Sequence, residues 1–537
     1  MELPHGNLPC NTDSSNERIW HSTTQTSIQP EASDNGSVAG GSEKDVSETA
    51  SRLEKPQDVE RGEDVPSTQR LVTWDGPDDV ENPRNWSYRR KWAVTVVASG
   101  YAFIAPLSSN MISPALSVIS KDLRIHHSVI EFLVISIYVL GFAIGPLYLG
   151  PLSELYGRRM ILQVSNILFL VFNTACGGCK TVTQMIAFRF ISGMGGSASL
   201  SAGGGILSDV WSNEERGKAM GIYTLMPLLG QAVGPIVAGF IVRYSHWRWC
   251  FYSVSLGDVI LQCISIFLLQ ETYPRLILAR KAKALRKQTG DKEICTEWEM
   301  QDQTLAKKLR TALKRPIKLI ATQPIVQFVA VYMAFLYGVI YLVLSTLPRL
   351  WTGPRYNEEV HIGGLNYIAV GVGFLVGSQV GTRLQDRIYK VLKHRNDGID
   401  QPEFRIPLML AGALLAPLGI FVYAWSAEAA AFWLWPNLGI AILCASMILC
   451  WQCMQAYLVG AYTTYAASAL GAATILRSLA GFAFPLFATQ LYDTLGYGWG
   501  NSILGFAACA IGWPAVFVLW RYGQSMRRRS PFAAGGD

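Results

Sequence analysis

Long apolar runs fill the chain after residue 92 and alternate with short polar segments. Each run holds roughly 20 residues, enough to cross a hydrocarbon core of about 30 Å at a helical rise of about 1.5 Å per residue. A polar and basic stretch separates the runs into two sets of six. The pattern therefore predicts an all-α polytopic membrane protein with twelve transmembrane helices in two six-helix halves. The predicted spans are 93–114, 130–152, 160–179, 184–207, 219–241, 249–269, 324–347, 365–385, 406–425, 433–457, 468–490 and 500–520.

The segments outside the spans complete the predicted organisation. The first 91 residues are polar and rich in Ser, Glu, Asp, Thr and Gln, so they bury too little apolar surface to offset the entropy of ordering. In chain order we predict a disordered cytosolic N-terminal tail over 1–91, a six-helix N-terminal half over 92–269, a cytosolic central loop over 270–323, a six-helix C-terminal half over 324–521 and a cytosolic C-terminal tail over 522–537.

The central loop contains RLILARKAKALRK at 275–287, with apolar residues at helical spacing between basic ones. This pattern predicts a basic amphipathic helix. Such a helix either lies on the anionic inner leaflet or serves as a solvated linker between the halves, and the two roles are compatible.

Basic residues between the spans predict the orientation of the chain. With the N-terminus inside, the inner loops and the C-terminal tail hold roughly 27 Lys and Arg, and the outer loops about 7. We therefore expect a multi-pass protein of the plasma membrane with both termini cytosolic; a vacuolar or other internal membrane is the alternative. The net charge of +7 follows from this topology, so we expect no nucleic-acid partner.

The cysteines and the remaining polar residues do not form a pattern typical of an enzyme or a metal site. Cys176 with Cys179, and Cys450 with Cys453, match Cys-x-x-Cys, but a zinc site needs a second ligand pair and a redox motif needs a soluble βαβ unit. The first pair lies at an outer helix end, where a disulfide is one possibility. The sequence shows no Walker loop, His-Glu-x-x-His motif or Ser-His-Asp spacing. We expect neither an enzyme nor a bound metal or cofactor.

The decapeptide GPLSELYGRR, residues 150–159, interrupts the apolar pattern between spans 2 and 3. Gly150 favours close helix approach and Gly157 permits the positive φ of a short turn. Glu154 places a carboxylate at the membrane boundary, where it meets a helix N-terminus or an arginine. Arg158 and Arg159 would anchor the turn on the inner side. An ordinary inner loop explains the arginines but not the acid or the glycines.

The decapeptide resembles the inner-loop signature of the major facilitator superfamily, Gly-x-Leu-x-Asp-x-x-Gly-Arg-Arg/Lys, with Glu154 in place of the usual Asp. The segments WDGPDDVENPRNWSYRRKW, HWRWCFY and ETYPRLILARKAKALRK are similar to those of fungal twelve-span drug:proton antiporters of the multidrug or secondary-metabolite efflux type. The resemblance implies the major facilitator fold and a proton gradient as energy source, and we expect a monomeric carrier. It also implies that Glu154 and Arg158 latch onto the start of span 11 in the outward-open state. In the second half, Asp386 and Arg387 occupy the corresponding position, and we expect a turn with a weaker latch there.

Charged residues inside the spans are costly in lipid and are therefore candidates for function. Arg189 with Gly193 matches the family signature Arg-x-x-x-Gly of span 4, whose arginine is implied to influence proton transfer. Asp258 lies near the middle of span 6, either as the proton carrier or as a structural partner of a polar group. Glu131, near the outer end of span 2, is the reserve candidate. Many relatives carry an acid in span 1, and this chain has none there.

Span 5 carries a spacing of small residues that bears on the direction of transport. Gly230, Gly234, Pro235 and Gly239 stand at Gly-x-x-x-Gly-Pro-x-x-x-Gly. The glycines favour close helix packing and the proline bends the helix. The full pattern resembles the signature of antiporters in the family, so we expect efflux rather than uptake.

Aromatic and neutral amide side chains within the spans predict the kind of substrate. A site built from them suits a mostly apolar organic molecule, such as a drug, toxin or secondary metabolite. Taken singly, each aromatic residue fits lipid contact or an interfacial belt better than a cavity. The candidates for the cavity are Asn110, Gln231, Tyr337, Tyr341, Gln452, Gln455 and Arg477, with Trp451 and Tyr457 as further aromatics.

We therefore predict a proton-coupled efflux transporter that exports such a molecule by alternating access. A proton-coupled uptake symporter of the same fold is the alternative, and a non-transporting membrane sensor is a third possibility. The expected partners are a small organic substrate, protons and the lipid bilayer.

Overall fold

The computed structural model describes residues 71–212, 215–291, 293–296 and 305–533, without the side chains of 305–312 and 464. Within these residues the chain is almost entirely helical, and a single bridge joins Leu71 to Cys295. The predicted all-α fold is confirmed.

Sixteen α-helices are present in the described part of the chain. The N-terminal half contains α1 Tyr88–Met111, α2 Leu116–Asp122, α3 Ser128–Tyr156, α4 Arg158–Gly177, α5 Val182–Gly196, α6 Ala198–Val210, α7 Arg216–Tyr244 and α8 Arg248–Leu268. The central segment contains α9 Pro274–Thr289 and α10 Leu305–Thr322. The C-terminal half contains α11 Pro324–Thr352, α12 Val360–Leu365, α13 Ile368–Arg395, α14 Ile406–Glu428, α15 Leu434–Ala461 and α16 Ala466–Arg528.

Ten of the described helical segments are long and apolar enough to cross a membrane. Two further features agree with the predicted twelve spans. The 63-residue helix α16 is interrupted at Gly496, where φ is 69° and ψ is 179°, so it comprises spans 11 and 12. Span 4 is divided at Ser197 into the shorter helices α5 and α6.

The segment just before span 1 is ordered, which corrects the prediction of disorder up to residue 91. Lys281 on α9 pairs with Asp75 at 2.6 Å and with Asp79 at 3.4 Å. Trp86 is buried, and helix α1 already begins at Tyr88. The polar composition did not indicate this order, because part of the segment is held by ion pairs with α9, which a count of apolar residues does not register. The earlier part of the predicted tail lies outside the described residues.

The predicted amphipathic helix of the central loop is present as α9. Its residues Leu278 and Ala282 are buried against the protein, while most of its basic residues are exposed or half-buried. Cys176 and Cys179, for which a disulfide was possible, are both free thiols.

The two halves meet at one end of the bundle. We call the end with Tyr88 the inner end, following the predicted orientation, and the opposite end the outer end. At the outer end Arg243 on α7 forms an ion pair with Glu359 at 3.0 Å, and Ser113 donates a hydrogen bond to the carbonyl oxygen of Leu344 at 3.1 Å. These contacts close the outer side between the halves.

Candidate functional site

A cavity of about 250 Å³ lies between the two halves. Helices α1, α3, α6 and α7 form its N-terminal wall, and α11, α13, α15 and α16 form its C-terminal wall. Thr224 and Gln455 lie in the inner thirds of their helices, so the cavity extends towards the inner end. In the predicted orientation, this placement and the closed outer side correspond to an inward-facing arrangement.

Most of the cavity wall is apolar or aromatic. Tyr138, Phe142, Phe374 and Trp451 provide rings, and several neutral hydroxyl and amide groups are interspersed among them. The residues that were predicted from the sequence and that line the cavity are Gln231, Tyr337, Tyr341, Trp451, Gln452, Gln455 and Arg477.

Asn110 and Tyr457 do not lie on the cavity wall. Asn110 is buried near the outer end of α1, where the halves are closed. Tyr457 is buried in the hydrophobic core of the C-terminal half. The sequence could not distinguish Asn110 and Tyr457 from the lining residues, because the direction in which a residue faces depends on the rotation of its helix about the helix axis.

Asp258 lies in a polar cluster inside the N-terminal half. Its side chain is fully buried, and the Asn166 amide donates to its two carboxylate oxygens at 3.0 and 3.1 Å. The same amide donates to Gln262 at 3.0 Å, and the Tyr101 hydroxyl donates to Gln262 at 2.6 Å. Asp258 thus connects to α1 and α4 through neutral groups.

A second, much smaller cavity of about 10 Å³ adjoins this cluster. Tyr101 and Asn166 line it, and Ser199 lines both it and the large cavity. A space of this size is about the minimum for one water molecule. The cluster is therefore separated from the substrate-sized cavity by only a few side chains.

Arg189 is fully buried and does not pair with Asp258. Its guanidinium donates to the backbone carbonyls of Ser108 at 3.1 Å, Ser109 at 3.0 Å and Val134 at 3.3 Å, and it lies 4.7 Å from the Tyr138 ring centroid. Glu131, the reserve candidate, is half-buried in the first turn of α3. Arg189 therefore joins spans 1, 2 and 4 through main-chain groups.

The turn between spans 2 and 3 is built around Glu271. Its carboxylate accepts hydrogen bonds from the backbone N–H of Arg158 at 2.9 Å and of Tyr273 at 3.0 Å. Gly157 has a φ of 99° and lies against this carboxylate. The Arg158 side chain donates to Asp209 at the end of α6 at 2.9 Å. Burial beside this cluster raises the pKa of the Tyr273 hydroxyl.

The other predicted latch residues are more loosely placed. Glu154 is exposed and forms no ion pair within the described chain, and Gly150 faces open space. Arg159 donates through Nη2 to the carbonyl oxygen of Ile266 at 3.1 Å. The turn expected around Asp386 and Arg387 is absent, because α13 continues through both residues to Arg395. No Gly directly follows them to end the helix there, and both side chains are exposed.

The small residues of span 5 face two different helices. A Cβ at Gly234 would stand 2.6 Å from the carbonyl oxygen of Leu107, and Gly230 packs in the same way against Phe103. Gly239 contacts the backbone of α12 across the outer closure, and the carbonyl oxygen of Pro235 faces Gly364 there. The predicted close packing thus joins span 5 both to span 1 and to the opposite half.

Sequence analysis missed three polar partners: Asp209, Glu271 and Asn166. Asp209 and Glu271 directly follow spans 4 and 6, so their position at the inner boundary was a usable signal. Asn166 carried no signal, because nothing in the sequence indicates that it faces Asp258.

The fold defines a membrane transporter with two helical halves around a central cavity, rather than an enzyme. The model of the family described as Major Facilitator Superfamily matches residues 98–485, and the chain belongs to this family.

Three curated fungal relatives are similar over most of their length. "Efflux pump vrtL" of Penicillium aethiopicum is 45% identical, covering 94% of this chain and 99% of that protein. "MFS-type transporter oryF" of Aspergillus oryzae is 41% identical over 87% and 95% of the two chains, and "Efflux pump radE" of Floropilus chiversii is 38% identical over 92% and 90%.

Among solved structures, a partially occluded inward-open conformation of the xylose transporter XylE from E. coli is similar, with a TM-score of 0.61. It is 17% identical and covers 81% of this chain and 98% of that chain. This similarity supports the fold alone.

Proposed function

We propose that this transporter exports a mostly apolar organic molecule in exchange for protons by alternating access. The observation that carries the proposal is the central cavity, whose wall combines aromatic rings with a few neutral amides. Its volume of about 250 Å³ lies just below the roughly 300–1,000 Å³ typical of ligand pockets, so the cavity suits a small ligand of that class. Two of the similar fungal proteins named above are also called efflux pumps.

Proton coupling would rest on Asp258. It is a buried carboxylate inside the membrane region and has no cationic partner among the described residues. A carboxylate in such a place is costly to keep charged, so protonation and release would accompany a change in its access to solvent. The small cavity is lined by Asn166, the partner of Asp258, and by Ser199, which also lines the large cavity, so a proton path between Asp258 and the large cavity would be short.

Efflux is favoured over uptake by the antiporter-type spacing in span 5, whose glycines pack as closely as the pattern predicts. We also propose that both termini are cytosolic, since the basic residues concentrate in the loops on the side of the termini. The protein is further proposed to be a monomer in the plasma membrane.

The function can be tested by expressing this chain in cells that lack their own drug pumps. They are loaded with a panel of neutral, anionic and cationic aromatic fluorophores, and retained fluorescence is followed with and without a protonophore. We expect faster loss of at least one fluorophore than in vector controls, and the protonophore should remove the difference.

Proton-dependent accumulation would instead indicate the uptake symporter. A correctly localised protein that changes the flux of no fluorophore would reject the transport proposal and favour the sensor.

A further inference from the structure

Arg477 places a positive charge in the wall of the central cavity. It lies on α16, is 4% exposed and belongs to the cavity lining. Its guanidinium carbon lies 4.0 Å from the ring centroid of Trp451 and 4.6 Å from that of Tyr337. The guanidinium group thus lies against two aromatic rings of the cavity wall.

No protein group in the described chain neutralises this charge. The Nε atom is buried without a hydrogen-bond partner, and the guanidinium takes part in no ion pair. None of the described residues that line the cavity is acidic. Buried polar groups and charges are normally paired, so an unpaired guanidinium that faces a cavity indicates a partner from outside the protein.

A second arginine lies behind the opposite wall of the cavity. Arg189 lies directly behind Ser109 and Tyr138, which both line the cavity, and its own donors go to backbone carbonyls rather than to an acid. The buried acid Asp258 does not line the cavity and is held by Asn166. Each half thus contributes a cation without contributing a compensating carboxylate to the lining.

We propose that the exported molecule is an organic anion, with an aromatic or apolar body and a carboxylate, sulfonate, phenolate or enolate group that binds Arg477. The planar fork of a guanidinium matches the two oxygens of a carboxylate or sulfonate with two parallel hydrogen bonds, and a phenolate or enolate oxygen accepts from the same charged donors. The apolar body would lie against the aromatic rings of the wall. This proposal rests on the proposed function, because it assumes that the central cavity holds the transported molecule.

The test uses three probes with one ring system and different charges: naphthalene-2-sulfonate, the neutral naphthalene-2-sulfonamide and a naphthylmethyl-trimethylammonium cation. Binding to the purified full chain is measured by quenching of tryptophan fluorescence. Transport is measured in proteoliposomes with an imposed pH gradient. The sulfonate stays charged throughout, so the pH gradient does not redistribute it across the membrane by itself.

The wild type should bind and transport the sulfonate at least about tenfold better than the sulfonamide, the ratio expected for a charge-assisted hydrogen bond. Arg477→Gln should remove most of this preference, and Arg477→Lys should retain part of it. Arg349→Gln, which removes an exposed arginine paired with Asp493 at the outer end, should leave the ratio unchanged. Thermal unfolding of each variant in detergent tests whether it is folded.

A sulfonate preference that survives Arg477→Gln in a folded protein, a wild-type preference for the cation or the amide, or no sulfonate binding would each overturn the proposal. Other results would distinguish an error in the proposed function from an error in the anion proposal. If the wild type binds the sulfonate through Arg477 but no probe moves against its gradient, proton-driven efflux is wrong and anion binding stands. If the amide or the cation is pumped and Arg477→Gln has no effect, efflux stands and the anion proposal is wrong.

Discussion

Gly157 lies beneath the carboxylate of Glu271, so close that a Cβ atom at residue 157 would overlap Oε2. Its φ of 99° is also one that other residues adopt only with strain. The turn between spans 2 and 3 therefore depends on a glycine for two separate reasons. The same carboxylate accepts hydrogen bonds from the backbone N–H groups of Arg158 and Arg159 at the start of α4.

Gly157→Ala should lower the free energy of unfolding by roughly 1–3 kcal/mol, because strain and the clash with Glu271 add. Thermal unfolding in detergent, followed by tryptophan fluorescence, measures the change. Gly150→Ala is the matched control, since nothing lies within 4 Å of that Cβ position and the residue is helical. The Gly150 variant should be as stable as the wild type or slightly more so. Equal stability of the two variants would contradict this account of the turn.

Glu154→Gln should reduce efflux while leaving the stability of the inward-facing state unchanged. The carboxylate is exposed and unpaired in this state, so its proposed partner, the N-terminus of span 11, would engage it only in the outward-open state. Such an interaction contributes roughly 0.3–2 kcal/mol. Efflux rate and membrane abundance are measured together, and Glu154→Asp, which keeps the charge, should retain activity. Wild-type efflux by a correctly localised Glu154→Gln protein would remove the latch argument.

Gly234→Leu should separate spans 1 and 5 and impair efflux. A Cβ at this position already stands 2.6 Å from the carbonyl oxygen of Leu107, so a larger side chain forces the helices apart at a cost of roughly 1–3 kcal/mol. Gly221→Leu is the control on the same helix, because its Cβ position faces open space. Thermal stability and fluorophore efflux are measured for both variants. The packing argument fails if both behave alike, and proton-dependent substrate accumulation by either variant would point to uptake.

Asp258→Asn should abolish uphill efflux while leaving binding and downhill exchange largely intact, because it keeps the shape of the side chain but cannot release a proton. Proteoliposomes with and without a pH gradient separate the two activities. Asp493→Asn makes the same chemical change at the exposed ion pair with Arg349 and should not affect coupling. If Asp258→Asn still drives substrate uphill with an unchanged pH dependence, Asp258 is structural and Glu131 becomes the residue to test.

Arg189→Ala also tests the coupling of proton movement to efflux. It should also damage coupling, and the double variant with Asp258→Asn should be no worse than the worse single variant. The two side chains do not touch, so this non-additivity would have to arise through α1, to which both are connected. If the losses of coupled transport in the two single variants add in the double variant, Arg189 only packs spans 1, 2 and 4 together and takes no part in coupling.

The sequence by itself determined the helical class, the two sets of spans and the position of the turn at Gly157. These features follow from local properties: run length against bilayer thickness, and the φ that only glycine adopts readily. The sequence also indicated the amide and charged residues of the cavity wall, Gln231, Gln452, Gln455 and Arg477, since such side chains inside a span rarely face lipid.

Only the tertiary structure decided which of these residues meet. Arg189 and Asp258 are both buried charges of the N-terminal half, yet one bonds to carbonyls and the other to Asn166. Asn110 turned out to lie off the cavity, and Arg477 to stand unpaired within it. The rotation of each helix about its axis settles such pairings. That rotation results from packing between helices distant in the chain, which the local pattern does not contain.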